Sequence, residues 1–258
     1  KRQDRLYRVE RIAKAEEEST ILAFKESPGG SAANTAVGLA RLGVKVGYIG
    51  KVAHDREGEL LLKAFKDEGV DTGGIMISRE GRSGTVLGFV DEEGERALYV
   101  DPGVNDLVDF EETNPEYFAG SRFLHLTSFV GEKPFEAQIK IAQILTNTGV
   151  TLDPGEIYAK KGWTKLKPLV ERCFAVLPNE NELRLLTGRG CKEGAEQLID
   201  IGVDIVAVKL GRRGCYVTDG EEEHLVEPFK VNVVDTTGAG DAFCAGFLYG
   251  LVEGKPLR

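Results

Sequence analysis

Few residues in this sequence suit a local metal centre or a redox site. The chain has four cysteines, Cys173, Cys191, Cys215 and Cys244, spaced 18, 24 and 29 residues apart, and only three histidines. No C-x-x-C pair occurs, so a zinc site built from neighbouring residues is disfavoured. We expect scattered, buried thiols rather than disulfides, as in a reducing compartment.

Positive charge is also scarce. Lysine and arginine number 33 against 42 aspartates and glutamates, which gives a net charge of −9. The basic surface that binds a nucleic-acid backbone is therefore missing, and nucleic-acid binding is disfavoured. No apolar run reaches the ~18 residues of a membrane-spanning helix, and no signal-peptide pattern opens the sequence. We expect a cytoplasmic protein with no membrane partner.

Two common nucleotide-binding loops are missing as well. The absence of G-x-x-x-x-G-K-S/T excludes a Walker-type loop. Gly43, Gly47 and Gly50 lie inside a strand pattern rather than after it, which is the wrong context for a dinucleotide fingerprint.

Glycine, in contrast, is plentiful, and strand and helix patterns alternate along the chain. There are 32 glycines in 258 residues, well above the usual ~7%. The periodicity predicts helices over 31–42, 56–68, 134–148, 179–187, 191–201 and 239–252, and strands over 44–50, 122–127, 150–153, 173–177 and 204–210. This alternation predicts an α/β fold with a doubly wound, mostly parallel sheet flanked by helices.

Two regions interrupt the alternation. Residues 6–24 and 84–101 have a strand pattern without helical partners, and T-V-L-G-F-V and R-A-L-Y-V flank D-E-E-G-E as in a hairpin. We predict that they pair into a small β-sheet lid formed by residues 1–27 and 83–102, on an α/β nucleotide-binding core formed by 28–82 and 103–258.

The segment from Val233 to Leu248, V-V-D-T-T-G-A-G-D-A-F-C-A-G-F-L, carries the clearest chemical signal. Its glycines let backbone N–H groups converge at the start of a helix, which suits a phosphoryl group. A carboxylate there, Asp241, is placed to deprotonate an attacking hydroxyl. The structural alternative is a glycine-rich turn with Asp241 as an N-terminal cap.

A second segment, P-G-G-S-A-A-N-T-A over 28–36, suits a hydroxylated ligand. Gly29 and Gly30 permit close approach, and Asn34 offers both a donor and an acceptor. The alternative is a glycine turn entering a helix, with Asn34 merely exposed.

The two segments together resemble the ribokinase family, also called PfkB carbohydrate kinases, in G-G-S-A-A-N (29–34) and D-T-T-G-A-G-D (235–241). Three further stretches are similar to that family: P-N-E-N-E at 178–182, V-K-L-G-R-R-G at 208–214, and G-K-V-A-H-D-R-E-G at 50–58, where Ala53 replaces a usual glycine. The resemblance covers almost the whole chain.

The resemblance implies an ATP-dependent phosphotransferase that uses Mg²⁺ and phosphorylates a sugar hydroxyl. The implied catalytic residues are Asp241 as base and the amides of Gly238, Ala239 and Gly240 as anion hole. The implied ATP-side residues are Asn179, Glu182, Lys209, Gly211 and Gly214, with Glu182 acting on magnesium through water. The implied acceptor residues are Asp4, Gly29, Gly30, Asn34 and Asn105. Asp235 and Thr237 match part of a site for a monovalent cation, potassium, and the lid is expected to serve as a homodimer surface.

Several residues have competing interpretations. Asn179 and Glu182 also fit an ordinary helix start, with the glutamate favoured by the helix dipole. Lys209 ends an apolar strand, where a charge needs a partner, and nearby phosphates explain it better than a core ion pair. Asp153 likewise ends a strand, where ligands bind in such sheets, while Lys160 and Lys161 fit a solvated basic loop equally well.

Two other functions remain open: a nucleoside kinase of the same family, and a non-catalytic sugar or nucleotide sensor on the same scaffold. The lid aromatics available to stack on a base are Tyr7, Phe24, Phe89 and Tyr99, which fit lid core equally well. An uncharged polyol is preferred over a sugar phosphate, because a phosphorylated sugar needs a second anion site on the lid side. The clearest cations there, Arg82 and Arg96, bracket a turn and are expected to be solvated. Ser31 and Ala32 depart from the G-G-K-G-A-N of ribokinase itself, which argues against ribose as the dedicated substrate.

Overall fold

Strands and helices alternate along most of the chain, as the hydrophobic pattern predicts. The computed structural model describes residues 2–9, 11–14, 16–92, 96–233 and 235–257, without the side chains of residues 2–4, 8 and 96. The strands are β1 (Arg2–Val9), β2 (Ile21–Gly29), β3 (Gly47–Ala53), β4 (Asp71–Ser78), β5 (Gly84–Val90), β6 (Arg96–Asp101), β7 (Phe123–Thr127), β8 (Gly149–Asp153), β9 (Cys173–Val176), β10 (Ile205–Lys209), β11 (Cys215–Thr218) and β12 (Glu223–Val226). The α-helices are α1 (Ser31–Arg41), α2 (Arg56–Asp67), α3 (Pro115–Phe118), α4 (Glu132–Ile144), α5 (Gly155–Lys161), α6 (Trp163–Val170), α7 (Glu180–Thr187), α8 (Cys191–Asp200) and α9 (Ala239–Val252).

The chain divides into two compact units, Lys1–Val108 (unit 1) and Asp109–Arg258 (unit 2). Unit 2 contains a six-stranded sheet in the order β12-β11-β10-β9-β8-β7. Its strands run parallel from β7 to β10, and β11 and β12 complete it as antiparallel strands. Parallel strands covered on both faces are continuous apolar runs, and β8, β9 and β10 are buried along nearly their whole length. The predicted strands over 122–127, 150–153, 173–177 and 204–210 all belong to this sheet.

Unit 1 contains two further sheets. A two-stranded parallel sheet pairs β3 with β4, and α1 and α2 cover it with a core that includes Ala33, Ala36, Phe65 and Val70. The other sheet, here called the small sheet, has four strands in the order β2-β1-β5-β6. Its β1–β5 pair is parallel and its other pairs are antiparallel. The predicted pairing of the regions 6–24 and 84–101 into one separate sheet is therefore confirmed, since β1 pairs with both β2 and β5.

The register of the small sheet separates its side chains into two faces. Leu6, Gly88 and Leu98 occupy one cross-strand row, and Tyr7, Phe24 and Phe89 occupy the next. Because neighbouring rows point to opposite faces, the aromatic side chains gather on one face of this sheet.

Some local predictions were incomplete. Among the described residues of 6–24, strand structure covers residues 6–9 and 21–24. The strand β4 went unpredicted because Gly73 and Gly74 interrupt its alternation. Lys160 and Lys161 lie in the last turn of α5 rather than in a loop, and Lys161 is held by Glu132 at 2.7 Å.

All four cysteines are free thiols; Cys173, Cys215 and Cys244 are buried, and Cys191 is half-buried. Among the helices that the structure describes, none is long and apolar enough to cross a bilayer.

Candidate active site

The turn before α9 leaves backbone donors at the start of a long helix. Gly238 is the N-cap residue of α9 in the left-handed region, with φ 76° and no side-chain cap bond, a conformation that favours glycine. The amide of Ala239 is used within the turn, since it donates to the carbonyl of Thr236 at 3.1 Å. Within the described part of the chain, the amides of Gly238 and Gly240 donate to no residue. This arrangement suits an anion at the N-terminus of α9.

Asp241 and Asp235 lie at either end of this turn. Asp241 is half-buried in the first turn of α9. It is not the N-cap residue of the helix, so the structural alternative of a capping aspartate does not describe this turn. Asp235 is exposed, and its Oδ1 accepts the amide of Thr237 at 2.8 Å. The two carboxylates are therefore close in sequence but differ in environment, since Asp241 is half-buried and Asp235 is exposed.

The side chain of Lys209 lies beside the same turn. Its Nζ is 3.7 Å from the point where a Cβ on Gly240 would stand. It also forms an ion pair of 2.7 Å with Oδ2 of Asp153, and both side chains are largely buried. Burial alone would lower the pKa of Lys209, but the Asp153 carboxylate raises this pKa above its usual value. The expectation that phosphates rather than a carboxylate satisfy this lysine is thus corrected: Asp153 is its partner.

Asp153 is held by further groups of unit 2. The thiol of Cys244, on α9, donates to Oδ2 of Asp153 at 3.3 Å. Asp153 ends β8 and Lys209 ends β10, so both charges lie at the carboxyl edge of the parallel sheet, where ligands bind in such folds. The pair connects this edge to α9.

Asn179 and Glu182 form a capping box at the start of α7. The side chain of Asn179 accepts the amide of Glu182 at 2.8 Å, and the carboxylate of Glu182 accepts the amide of Asn179 at 2.7 Å. Burial raises the pKa of Glu182, with the charge of Asp153 adding to this effect and that of Lys209 opposing it. Asn179 also forms a parallel bridge with Lys209, so this motif lies next to the lysine.

Gly211 and Gly214 form the turn between β10 and β11. The amide of Gly214 donates to the carbonyl of Gly211 at 3.1 Å. A Cβ at Gly214 would stand 1.9 Å from the carbonyl oxygen of Val226, so the neighbouring backbone itself requires glycine there. Gly211 is exposed.

His125 lies beside these groups, although no motif in the sequence singles it out. Its Nδ1 lies 2.9 Å from Oγ1 of Thr151, and its Nε2 is buried with no hydrogen-bond partner among the described residues. Burial lowers the pKa of His125 to about 4, with Asp153 raising it and Lys209 lowering it. A histidine within an apolar strand next to R-F-L was the one available signal.

Four of the predicted acceptor residues are fully described in unit 1. Gly29 ends β2 and is buried, and Gly30 is the N-cap residue of α1. Asn34 is exposed in the first turn of α1, with its amide donating to the carbonyl of Gly30 at 2.9 Å. Asn105 is buried in the 3₁₀ helix Gly103–Leu107. These positions are the start of α1 and the segment that follows β6.

The fifth predicted acceptor residue, Asp4, belongs to β1. Its backbone pairs with Ser27 on one side and Val86 on the other. The side chain of Asp4 lies outside the described residues.

Two cations of unit 1, Arg82 and Arg5, have carboxylate partners. Arg82 lies 2.7 Å from Asp101, and Arg5 lies 2.9 Å from Glu57 and 3.1 Å from Glu26. The side chain of Arg96 lies outside the described residues.

The lid aromatics contact one another. Tyr7 stacks on Phe24 and Phe89 with ring centroids 5.5 and 5.3 Å apart, and Phe89 meets Tyr99 edge-on at 5.9 Å. These rings therefore form a continuous group on the small sheet, in keeping with their interpretation as packing residues.

The comparisons with known proteins agree with this geometry. The sequence matches the family described as "pfkB family carbohydrate kinase" over residues 3–258. The chain belongs to this family. It is 44% identical over 225 residues to an uncharacterized sugar kinase of Archaeoglobus fulgidus, covering 86% of this chain and 89% of that protein. It is 35% identical over 245 residues to an ATP-dependent ribose-1-phosphate kinase of Halopiger xanaduensis, covering 93% and 79%.

A solved structure confirms the fold of this pfkB family member. Ribokinase from Thermotoga maritima matches with a TM-score of 0.86 and 27% identity, covering 98% of this chain and 84% of that chain. The predicted ribokinase-like α/β fold, the family and the assignment as a kinase are confirmed.

Proposed function

We propose that this pfkB family member transfers the terminal phosphoryl group of ATP to a hydroxyl of a small, uncharged sugar, with Asp241 as general base. The observation that carries the proposal is the start of α9. This turn holds the open amides of Gly238 and Gly240 and the carboxylate of Asp241. The ammonium group of Lys209 lies next to Gly240. The amide and ammonium N–H donors suit the oxygens of a transferring phosphoryl group, and the carboxylate suits its nucleophile.

In this mechanism each group of the turn has one task. Asp241 accepts the proton of the attacking hydroxyl, so that the oxygen is more nucleophilic as the new P–O bond forms. The amides of Gly238 and Gly240, and that of Ala239 if its turn opens, donate to the phosphoryl oxygens. Lys209 is proposed to donate a hydrogen bond to a phosphoryl oxygen rather than to supply a net charge, because Asp153 pairs with its ammonium group at 2.7 Å and fixes its position.

Asn179, Glu182, Gly211 and Gly214 are proposed for the ATP side, and magnesium is the proposed ion. Among the described residues, no group of three or more His, Cys, Asp or Glu side chains is arranged to hold a metal. That fits Mg²⁺, which keeps several waters and binds substrate phosphates rather than an all-protein cage. Glu182 is the carboxylate proposed to act on it through water. When bound, the ion neutralises phosphate charge.

A monovalent cation is proposed beside the same turn. The turn Asp235–Thr237 offers a carboxylate and backbone carbonyls, the oxygen donors that alkali cations take. Potassium is expected to raise activity relative to tetramethylammonium at equal ionic strength. Equal rates in the two salts would remove the cation from the mechanism.

The proposed acceptor residues are Asp4, Gly29, Gly30, Asn34 and Asn105, and the proposed acceptor carries no phosphate. Arg5 and Arg82 are paired with carboxylates in unit 1, so neither supplies an unmatched positive charge for a second anion. Amide side chains such as those of Asn34 and Asn105 discriminate by hydrogen bonds to hydroxyls instead. A nucleoside is disfavoured because the lid aromatics stack on one another. A non-catalytic sensor is disfavoured because the base and its open amides are retained.

The small sheet is proposed to act as a lid, with residues 1–27 and 83–102 as its boundaries, and also as a homodimer surface. Phe24 and Tyr99 on its aromatic face are 57% and 62% exposed. Exposed apolar groups of this kind mark interaction surfaces.

ADP release with a panel of acceptors tests the proposed function. The panel holds free pentoses and ketohexoses, ribose 1-phosphate, fructose 6-phosphate and adenosine, with the Asp241→Asn enzyme as background. We expect a free sugar to have the highest kcat/KM. If a sugar phosphate or adenosine exceeds every free sugar, the choice of acceptor is wrong although the kinase assignment survives. No ADP release above background with any acceptor would overturn the proposal.

A further inference from the structure

The first turn of α2 holds strands of the small sheet through three successive residues. Asp55 is the N-cap residue of α2, and its carboxylate accepts three hydrogen bonds. Gly58 donates its amide at 2.7 Å, and Ser83 donates both its amide, at 2.7 Å, and its hydroxyl, at 2.6 Å. Ser83 is almost completely buried, and its Oγ accepts the amide of Ala53 at 2.9 Å. Because Ser83 directly precedes β5, this contact fixes the point where β5 begins.

The residues that directly precede β5 also close the base of the β5–β6 hairpin. The amide of Val104, which follows β6, donates to the carbonyl of Arg82 at 2.9 Å. The side chain of Arg82 lies 2.7 Å from Asp101, the last residue of β6. Both legs of the hairpin therefore meet at residues 82–83, which Asp55 holds.

The next two residues of α2 hold the other two strands. Arg56 lies 3.2 Å from Glu26 of β2, and Glu57 lies 2.9 Å from Arg5 of β1. We call Asp55, Arg56 and Glu57 the α2 anchor. Three consecutive side chains thus bind the residue that precedes β5, strand β2 and strand β1, and β6 is attached to β5.

These polar contacts matter because the small sheet has little apolar core of its own. Among its described apolar side chains, Val9 alone is as buried as the core residues of unit 1. Leu6 and Leu98 are 42% and 60% exposed on one face, and Phe24 and Tyr99 are similarly exposed on the other. A sheet held mainly by directional polar contacts at one end takes its position from those contacts.

We infer that the α2 anchor sets the position of the small sheet for acceptor binding, with Asp55 as a positioning residue. The inference rests on the proposed function, because Asp4 and Gly29 lie in strands of this sheet and Asn105 follows its hairpin. Asp55 touches none of these residues in the described contacts, so it acts through Ser83. The motif G-K-V-A-H-D-R-E-G is thereby explained: its aspartate binds Ser83, and its last glycine, Gly58, has no room for a side chain, since a Cβ would stand 2.2 Å from the carbonyl of Ala53.

The variant Asp55→Asn tests whether Asp55 positions the small sheet without preventing the protein from folding. Asparagine is as good an N-cap as aspartate, so its Oδ1 keeps the bond to Gly58 and α2 is retained, but the NH₂ group that replaces Oδ2 cannot accept the N–H of Ser83. We expect the KM for the sugar to rise about tenfold, the scale of one hydrogen bond to a charged group. The KM for ATP should change less than about twofold, since the ATP-side residues belong to unit 2. Asp67→Asn is the matched control, because it makes the same change on the exposed far end of α2.

Hydrogen exchange supplies a readout that does not depend on activity. Without any ligand, residues 84–90 and 96–101 should exchange faster in Asp55→Asn than in the wild type or in Asp67→Asn. Added sugar should slow exchange in these strands less in Asp55→Asn than in the wild type. Glu57→Gln, which weakens the contact with β1, should give a smaller change of the same kind and serves if Asp55→Asn does not fold.

The results separate this inference from the proposed function. An unchanged sugar KM in a folded Asp55→Asn enzyme would overturn the positioning role, as would parallel rises in the KM of sugar and ATP. If the wild type phosphorylates no sugar, the proposed function fails; equal ligand-free exchange in Asp55→Asn and wild type would then overturn the anchor, and faster exchange would support it.

Discussion

At the scale of single residues, Asp241 is the side chain on which the chemistry depends most. Asp241→Asn keeps the size and the helix start but removes the base, so kcat should fall by on the order of 10²–10⁴ while ATP and sugar still bind. Steady-state kinetics with the best sugar, together with binding measured by calorimetry, checks this. Turnover above about a third of the wild-type rate would mean that another group removes the proton.

The burial of His125 predicts how the stability of the protein depends on pH. Burial lowers its pKa from 6.5 to about 4, so the unfolded chain takes up a proton that the folded protein refuses as the pH falls through this range. At about 1.4 kcal/mol per pKa unit, the free energy of unfolding should fall by about 3 kcal/mol between pH 6.5 and 4 from this residue. Above pH 6.5 both states are neutral and the contribution disappears.

Urea unfolding at pH 7, 6 and 5 isolates the histidine. His125→Asn should lower stability at all three pH values because it leaves a cavity, but its stability should fall less steeply with acid than that of the wild type. His54→Asn, at an exposed histidine, should follow the wild-type profile. Parallel profiles for His125→Asn and the wild type would contradict the buried, neutral state.

At the scale of elements, the parallel strands of unit 2 were predictable because a buried parallel strand is a continuous apolar run, whereas its antiparallel strands β11 and β12 were not predicted. Four such runs, from 122–127 to 204–210, appear as β7, β8, β9 and β10. The turn of Gly238 was predictable because few residues other than glycine adopt its backbone conformation. In contrast, β4 carries glycines within its pattern, and α5 and α6 are short helices that follow one another closely, so their periodicity is weak.

The partner of Lys209 shows a different limit of sequence reasoning. Asp153 and Lys209 were each singled out at a strand end, but they are 56 residues apart. A one-dimensional pattern reports which residues end strands, not which strands are neighbours. The pair follows from the order β10-β9-β8, which places one strand between the two charged ends. The same reasoning applies to Ser83, whose link to Asp55 depends on how β5 begins rather than on any motif.

At the scale of the whole molecule, the aromatic face of the small sheet predicts a homodimer. Strands β2 and β6 are the edges of this sheet, where another chain can pair, and the rings of Phe24 and Tyr99 expose apolar surface to water. Pairing two copies through this face would bury the rings of both. Sedimentation equilibrium should therefore report twice the mass of the chain.

A charged residue on that face should break the dimer. Phe24→Asp places a carboxylate where two sheets would meet, so we expect a monomer, because an unpaired charge is costly to bury. Phe229→Asp is the matched control: this phenylalanine is 93% exposed in unit 2, outside the small sheet, and its replacement should leave the mass unchanged. A wild-type monomer at every concentration, or a dimer lost in Phe229→Asp but kept in Phe24→Asp, would show that the aromatic face does not join two chains.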